Sequence, residues 1–301
     1  MDLKFFVALL IGVLVGCGGS AVDANDGGLP DGSAPDGGSS PISSLVVDAD
    51  WLMANLDDPN LQPVDTRCAP AFEVARIPGA VRLSPEQVAM SDGNVPMQVA
   101  PPMQAEPVLR AAGLRNDSIA VVYGAAPEYD PARVVWTLRY YGHGDVRYLD
   151  GGYAAWLDAG GTVDTDPPTT GATDYTITDL NEDLRVTGDS VLSGLGDAPY
   201  EMPSIQLVDA RSPQEYDAGR IPTARHVQWT ASLDAGFLRS MTEIQALHDR
   251  LDPSEPTVTY CLTGWRGSFA WLALTYLGYE NVQLYDGSWA EWENGAFPVE
   301  Q

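Results

Sequence analysis

Short apolar runs alternate with helical patterns along the chain, and this order occurs twice. The predicted strands of the first half are Leu61–Asp65, Ile119–Tyr123 and Val146–Leu149. Their counterparts in the second half are Ile205–Asp209, Thr257–Tyr260 and Val282–Tyr285. A helical stretch precedes the last strand of each half, at Pro131–Tyr141 and at Gly267–Leu277. Strands that alternate with helices predict an α/β fold, in which each half has a mostly parallel sheet with helices on both faces.

The two halves also share sequence. Val64-Asp65-Thr66-Arg67 recurs as Val208-Asp209-Ala210-Arg211, and Asp150-Gly151 recurs as Asp286-Gly287. Such internal matches indicate two related domains, which we place at 45–165 and 180–301. The joint between them lies near Asp164–Ala172, where Thr-Asp-Pro-Pro-Thr-Thr-Gly breaks regular structure, and 166–179 is the predicted linker.

The N-terminus has the pattern of a signal peptide. Lys4 precedes an apolar run from Phe5 to Val15, which is shorter than the roughly 20 residues that a membrane-spanning helix needs. Leu14-Val15-Gly16-Cys17 resembles the bacterial lipobox, in which the cysteine becomes the lipidated first residue after cleavage. We therefore predict a lipoprotein signal peptide at 1–17 with lipidation of Cys17; the alternative is ordinary cleavage near Gly16.

The next segment, 18–44, is rich in Gly, Asp, Pro and Ser and has almost no apolar side chains. Such a segment cannot bury enough surface to offset its ordering entropy, so we predict a flexible tether. Its Asp-Gly pairs lack the ligand spacing and the terminal Glu of calcium loops. An anchor, a tether and a globular body predict a lipid-anchored protein of the bacterial cell envelope that faces the periplasm or the exterior. A simple secreted protein fits the same pattern.

Composition limits the partners. Among 301 residues, 16 Lys+Arg face 42 Asp+Glu, a formal net charge of −26. That charge repels phosphate backbones and anionic lipid head groups, which excludes nucleic-acid binding and leaves the lipid anchor as the only predicted membrane contact. Lys4 is the only lysine. An anion site in the body of the protein must therefore use arginine or backbone N–H groups.

The sharpest local motif runs from Tyr260 to Ser268, where a buried strand ends at Cys261 and a glycine-rich loop leads into a helix that we expect to begin near Ser268. Gly264 can adopt positive φ and let the backbone curl around one anionic atom. The helix N-terminus and Arg266 both favour a thiolate over a thiol, which would make Cys261 nucleophilic. An inert core thiol is the alternative.

Residues 45–301 resemble the tandem-domain rhodanese family of thiosulfate and 3-mercaptopyruvate sulfurtransferases. The resemblance rests on the Asp209-Ala210-Arg211 block, the Cys-x-x-Gly-x-Arg-x-Ser loop at Cys261 and the Tyr285-Asp286-Gly287-Ser288-Trp289 block. It implies two rhodanese-like domains, the first inactive and the second catalytic, with the site in the crevice between them. The first domain has Tyr123-Gly124 where the second has Tyr260-Cys261, so it lacks the nucleophile.

Two departures from the family pattern matter. Thr223 stands where the family has Gly in the Ile-Pro-Gly-Ala turn. The loop sequence Leu-Thr-Gly-Trp-Arg matches neither the thiosulfate subgroup nor the mercaptopyruvate subgroup, so it does not name the donor. Trp265 in this loop is expected either to form a wall of the pocket or to pack at the domain interface.

The resemblance implies a covalent mechanism without a cofactor. Cys261 would take the outer sulfur of a small anionic donor as a persulfide and pass it to a thiol or to cyanide. The loop that would bind this sulfur comprises Leu262, Thr263, Gly264, Trp265, Arg266, Gly267 and Ser268. We expect Arg266 and Arg211 to hold the anionic end of the donor; a structural ion pair of Arg211 with Asp209 or Glu215 is the alternative. The predicted state is a monomer.

Three other readings remain to be compared. A cysteine phosphatase needs five residues between its Cys and Arg, whereas four separate Cys261 from Arg266. A non-catalytic or redox-sensing binding module is the main alternative to an enzyme. A disulfide between Cys68 and Cys261 would block the nucleophile in an oxidising compartment. The three histidines share no metal-ligand spacing with the cysteines, so we predict no metal.

Overall fold

The computed structural model describes residues 45–167 and 171–301. The predicted signal peptide 1–17, its Cys17 and the tether 18–44 lie outside the described residues. Within the described ranges, no helix is both long enough and apolar enough to cross a membrane.

The first half contains seven strands and five α-helices among its described residues. The strands are β1 (Val46–Val47), β2 (Leu61–Asp65), β3 (Val81–Arg82), β4 (Ala89–Asp92), β5 (Val95–Val99), β6 (Ile119–Tyr123) and β7 (Asp145–Leu149). The helices are α1 (Ala49–Asn55), α2 (Ala69–Val74), α3 (Pro102–Ala112), α4 (Asp130–Tyr140) and α5 (Gly152–Asp158). A 3₁₀ turn covers Pro85–Val88.

The second half repeats this order. Its strands are β8 (Arg185–Val186), β9 (Gln206–Asp209), β10 (Arg225–His226), β11 (Leu233–Asp234), β12 (Phe237–Leu238), β13 (Thr257–Tyr260) and β14 (Val282–Tyr285). Its helices are α6 (Gly188–Leu195), α7 (Pro213–Ala218), α8 (Met241–Leu247), α9 (Trp265–Tyr276) and α10 (Ser288–Asn294). Two 3₁₀ turns cover Glu182–Leu184 and Trp229–Ser232.

Each half forms a five-stranded sheet in which every pairing is parallel. The strand order is β1-β7-β6-β2-β3 in the first sheet, and β8-β14-β13-β9-β10 in the second. The two orders are the same when equivalent strands are matched. The predicted α/β fold with two parallel sheets is confirmed, and its internal repeat is a repeat of topology.

The central strand of the first sheet shows why helices cover both faces. Side chains alternate along a strand, so Ala120 and Val122 of β6 enter one apolar cluster while Val121 and Tyr123 enter another on the opposite face. A strand that is apolar on both sides has to be covered on both sides, which is the arrangement expected in a parallel sheet.

The two domains share one core. Helix α4 of the first domain packs against α9 of the second, and the apolar cluster between them is continuous from one sheet to the other. Tyr148 and Phe269 meet edge to face across this boundary, with ring centroids 6.2 Å apart. Because α9 follows the Cys261 loop, this packing brings the loop up against the first domain.

Each domain also extends a hairpin to the other. The β4–β5 hairpin ends at Val99, whose amide donates to Asp286 Oδ2 at 2.8 Å. The equivalent β11–β12 hairpin ends at Leu238, whose amide donates to Asp150 Oδ1 at 2.8 Å. Asp150 and Asp286 are the residues that follow the matching strands β7 and β14. The domains therefore dock as a pseudo-symmetric pair.

The structure differs from the sequence prediction in several details. The short outer strands β1, β3, β8 and β10 and both hairpins were not predicted. Helix α9 begins at Trp265, earlier than the expected Ser268, because Gly264 takes the left-handed conformation at the helix cap. Within the predicted linker, Tyr175 and Ile177 are buried against the first domain.

Candidate active site

The nucleophile candidate lies at the carboxyl end of β13. Strands β13 and β9 are both buried and end side by side, with Tyr260 in register with Asp209. Cys261 follows β13 and carries a free thiol that is 1% exposed. Its amide donates to Ser288 Oγ at 3.2 Å and its carbonyl accepts from the Trp289 amide at 3.0 Å. The backbone at Cys261 is thus fixed to the start of α10, and the thiol is not in a disulfide with Cys68.

The loop after Cys261 is short and tightly turned. Leu262 is exposed, and its carbonyl accepts from the Ala290 amide at 2.9 Å. Gly264 has φ +85°, which side-chain-bearing residues rarely adopt, and α9 begins at the next residue. Ser268 closes the first turn, since its amide donates to Gly264 O and its hydroxyl to Trp265 O, at 2.9 and 2.6 Å.

This geometry leaves a set of backbone donors unused. Within the described residues, the amides from Leu262 to Gly267 have no hydrogen-bond acceptor. The last three of them belong to the first turn of α9, where the helix itself cannot supply acceptors. Consecutive free amides at a helix N-terminus form a concave donor surface that suits an anion. The loop therefore has the donors that the predicted persulfide requires.

Gly267 allows the helix to approach this closely. A methyl group there would lie 2.9 Å from Leu284 Cδ1 and 3.1 Å from the Tyr260 carbonyl carbon. Only a residue without a side chain fits between β13, β14 and α9. The glycine of the motif is thus explained by packing.

Arg266 forms a bidentate ion pair with Glu215 of α7. Its Nη1 donates to Glu215 Oε2 at 2.7 Å and its Nη2 to Oε1 at 2.8 Å. Hydrogen bonds from Arg266 lower the pKa of Glu215 to about 2. Burial alone would lower the pKa of Arg266, but the Glu215 carboxylate and the negative charge of a Cys261 thiolate raise it above its usual value. Arg266 lies within electrostatic reach of Cys261, with much of its charge balanced by Glu215.

The structure places Arg211 in a structural ion pair. Its Nε donates to both oxygens of Asp209 at 3.0 Å, and its Nη2 donates to Asp209 Oδ2 at 2.6 Å and to Gly219 O at 2.7 Å. Arg211 is 2% exposed, and Asp209 is fully buried. These contacts match the alternative that we considered for Arg211 and give no sign of the predicted contact with a donor.

Trp265 packs at the domain interface, which is the second of its two expected places. It is 8% exposed, and its Nε1 donates to Met97 O of the first domain at 3.2 Å. Thr263 is half-buried in the loop, beside the exposed Leu262. The seven loop residues predicted from the motif therefore form one continuous segment around Cys261, and Arg211 stands apart from them.

Thr223 forms the same turn as the glycine that the family has at this position. It has φ +69°, close to the +75° of Gly79 at the equivalent place in the first domain. The departure from glycine thus preserves the turn, with a β-branched residue in the left-handed region.

The equivalent loop of the first domain has no room for a nucleophile. Gly124 stands where Cys261 stands in the second domain, and a methyl group there would lie 2.6 Å from Thr66 Oγ1 and 2.8 Å from Pro131 Cγ. This loop is also acidic. Burial, together with the nearby Glu128 carboxylate, raises the pKa of Asp130 to about 7.

Sequence reasoning missed Tyr129 of the first domain. Its ring meets Trp229 of the second domain edge to face, with centroids 5.3 Å apart. Burial raises the pKa of Tyr129, the Asp130 and Cys261 charges raise it further, and Arg266 lowers it. Tyr129 therefore lies at the domain interface, close enough to Cys261 for their charges to interact. No motif marks it, because its position depends on how the domains dock.

The described residues contain no group of three or more His, Cys, Asp and Glu side chains that could hold a metal ion.

Comparison with known proteins agrees with the tandem architecture. The sequence matches the rhodanese-like domain over residues 48–159 and again over 195–295. The chain belongs to the rhodanese-like family. Each matched segment contains four of the five strands of one sheet, and the Cys261 loop lies in the second segment.

Two curated relatives match this rhodanese-like chain over most of its length. The putative thiosulfate sulfurtransferase SseA of Mycobacterium tuberculosis (strain CDC 1551 / Oshkosh) is 35% identical over 269 residues, which covers 83% of this chain and 88% of the relative. The thiosulfate sulfurtransferase of Corynebacterium glutamicum is 31% identical over 272 residues, which covers 83% of this chain and 87% of the relative.

A solved structure agrees with the fold. The crystal structure of the 3-mercaptopyruvate sulfotransferase SseA from Escherichia coli matches with a TM-score of 0.74 at 26% identity. The match covers 82% of this chain and 99% of that one. Both domains, in their tandem order, are thus shared with a rhodanese of known structure.

Proposed function

We infer that this protein is a sulfurtransferase that moves a sulfane sulfur from a small anionic donor to a thiol or to cyanide through a persulfide on Cys261. The observation that carries this function is the free thiol of Cys261 at the end of β13, next to consecutive backbone amides that have no acceptor among the described residues. The thiosulfate and mercaptopyruvate activities of its relatives support the same class of donor.

The first half-reaction forms the persulfide. The Cys261 thiolate attacks the outer sulfur of the donor, and the bond between that sulfur and the rest of the donor breaks with its electron pair on the leaving group. Thiosulfate would release sulfite, and 3-mercaptopyruvate would release the enolate of pyruvate. The terminal sulfur of the persulfide carries the negative charge, which the amides of Leu262 to Gly267 stabilise.

The second half-reaction restores the enzyme. An acceptor thiolate or cyanide attacks the terminal sulfur, the sulfur–sulfur bond breaks, and Cys261 leaves as a thiolate. No electrons are lost or gained by the protein over the cycle. This is why no redox cofactor is needed.

The structure favours backbone amides over free arginines as the anion-binding groups. Arg211 donates through Nε and Nη2 to Asp209 and Gly219, and Arg266 is paired with Glu215 through both of its terminal nitrogens. Arg266 still lies close enough to Cys261 for the negative charge of a thiolate there to raise the pKa of Arg266. An arginine paired in this way binds a further anion more weakly than a free one.

The test is to load the purified protein with thiosulfate or 3-mercaptopyruvate and to measure the mass of the peptide that contains Cys261. We expect a gain of one sulfur atom on Cys261, its removal by cyanide as thiocyanate, and neither result with Cys261→Ala. An unmodified thiol with both donors, in protein that is folded by circular dichroism, would contradict the proposal. That result would instead favour a module that only binds sulfur compounds.

We also propose that the chain is a lipoprotein of the cell envelope that works as a monomer. Support for the anchor comes from the lipobox-like Leu14-Val15-Gly16-Cys17 and the apolar run before it. Support for the monomer comes from the domain interface beside the Cys261 loop, which is formed within one chain. To test the anchor, labelling with a radioactive fatty acid should mark the wild type and not Cys17→Ala. To test the monomer, analytical ultracentrifugation should give the mass of one chain.

A further inference from the structure

We propose that Arg133 of the first domain is a positioning residue for the sulfur-transfer loop, which it holds in shape through its buried ion pair with Asp286. This inference deepens the proposed function and rests on it. Arg133 lies on α4, and Asp286 follows β14. Their Nη1–Oδ1 distance is 2.7 Å, and their side chains are 2% and 0% exposed.

The pair touches the loop at Gly264. A methyl group at Gly264 would lie 2.8 Å from Asp286 Oδ1 and 3.2 Å from Arg133 Nη1. The turn with φ +85° at Gly264 therefore lies directly against both charged groups. Since this turn orients the free amides around Cys261, a shift of the ion pair is transmitted to the donors that hold the transferred sulfur.

The same pair fixes the first-domain hairpin to the loop. Asp286 Oδ2 accepts from the Val99 amide at 2.8 Å, and its carbonyl accepts from Gln98 Nε2 at 3.0 Å. Met97 O accepts from Arg133 Nη2 at 3.3 Å and from Trp265 Nε1 at 3.2 Å. Arg133 and Trp265, the first residue of α9, thus donate to the same carbonyl, that of Met97. The turn at Gly264 is therefore held by the Arg133–Asp286 pair on one side and by Trp265 on the other.

The inactive side of the molecule lacks this arrangement. Asp150 is equivalent to Asp286 and accepts from the Leu238 amide, but within the described residues it forms no ion pair. Phe269 on α9 is the counterpart of Arg133 on α4. Each residue precedes a matching pair, Leu277-Gly278 for Phe269 and Tyr141-Gly142 for Arg133, by the same number of positions. Docking of the domains therefore needs the aspartate in both halves, whereas the arginine occurs only beneath the loop that carries a nucleophile.

The experiment compares Arg133→Met, the double variant Arg133→Met/Asp286→Asn, Arg133→Lys and the control Asp150→Asn. Arg133→Met leaves the buried Asp286 carboxylate with only the partly exposed Arg185, whose Nη2 lies 3.6 Å from Oδ2, and can fail to fold for that reason alone. The double variant removes both charges and keeps an oxygen for the Val99 amide, so it is the decisive one. Single-turnover sulfur loading at saturating thiosulfate is measured beside thermal unfolding and the rate of Cys261 alkylation.

We expect the double variant to fold and to load sulfur between about ten- and a hundred-fold more slowly than the wild type, because the loop amides are no longer held in place. Alkylation of Cys261 should change less than three-fold, since it needs the thiol and not the amides. Arg133→Lys should recover most of the loading rate, and Asp150→Asn should load within two-fold of the wild type. Wild-type loading rates in a folded double variant, or an equal loss in Asp150→Asn, would overturn the proposal. Failure of the wild type itself to load sulfur would instead reject the proposed function.

Discussion

Arg211 makes the same contacts in the second domain as Arg67 makes in the first. In both, the Nη2–Oδ2 distance to the aspartate two residues earlier is 2.6 Å, and Nε donates to the same carboxylate. Both also donate to a carbonyl just beyond the next helix, Ala75 O at 2.8 Å and Gly219 O at 2.7 Å. Because the first domain has no nucleophile, contacts common to the two are structural.

The first prediction follows from this equivalence. Arg67→Met and Arg211→Met should each lower the free energy of unfolding by about 3–5 kcal/mol, since each leaves a buried carboxylate without its partner. Arg67→Lys and Arg211→Lys, which keep the charge, should show the same KM for thiosulfate as the wild type. Urea unfolding and donor saturation curves measure the two effects. A KM that rises many-fold in Arg211→Lys alone would show that this arginine binds the donor after all.

The second prediction concerns the turn at Gly264. Gly264→Ala should reduce sulfur loading by more than about ten-fold, because the new methyl group displaces Asp286 and Arg133 and with them the loop amides. Gly160→Ala is a matched control: Gly160 has φ +83°, and nothing lies within 4 Å of a methyl group there. Both variants should lose about 1–2 kcal/mol from left-handed backbone strain. Equal activity of the two variants would mean that the contact at Gly264 has no effect on transfer.

The third prediction concerns Thr223. A β-branched residue at φ +69° is strained, whereas glycine adopts this conformation freely. Thr223→Gly should therefore raise the free energy of unfolding, by up to about 1 kcal/mol once the greater chain entropy of glycine is subtracted. The converse change in the first domain, Gly79→Thr, should lower it. Thermal unfolding of the pair measures both, and a destabilised Thr223→Gly would contradict the assignment of strain.

Elements with a strong local pattern could be read from the sequence. Strands β2, β6, β13 and β14 begin and end where the sequence runs predicted, because a buried parallel strand is a short run of largely apolar or β-branched residues. The Cys261 loop was also found, since its glycines and cysteine stand together. The short outer strands were missed, because two residues leave no periodicity to detect.

Contacts that depend on docking could not be read in this way. Arg133 and Asp286 are 153 positions apart in the chain, and neither belongs to a motif that names the other. Arg211 was assigned to the donor because its Asp-x-Arg motif matches that of the rhodanese family. The sequence shows Asp209 beside it but not that both are buried, and burial is what makes the ion pair structural.

The last prediction uses the ion pair between Glu215 and Arg266. The folded pKa of Glu215 is about 2, below its usual value of 4.5, because Arg266 donates two hydrogen bonds to the carboxylate. A depressed folded pKa means that this carboxylate stabilises the fold fully above pH 4.5 and progressively less as the pH falls toward 2. Wild type should therefore be more stable than Glu215→Gln near neutral pH, and the difference should shrink as the pH falls through that window. Urea unfolding of both proteins at a series of pH values measures it. A difference that stays constant down to pH 2 would show that the variant acts through packing, because Glu215 is the only titrating group in which the two proteins differ.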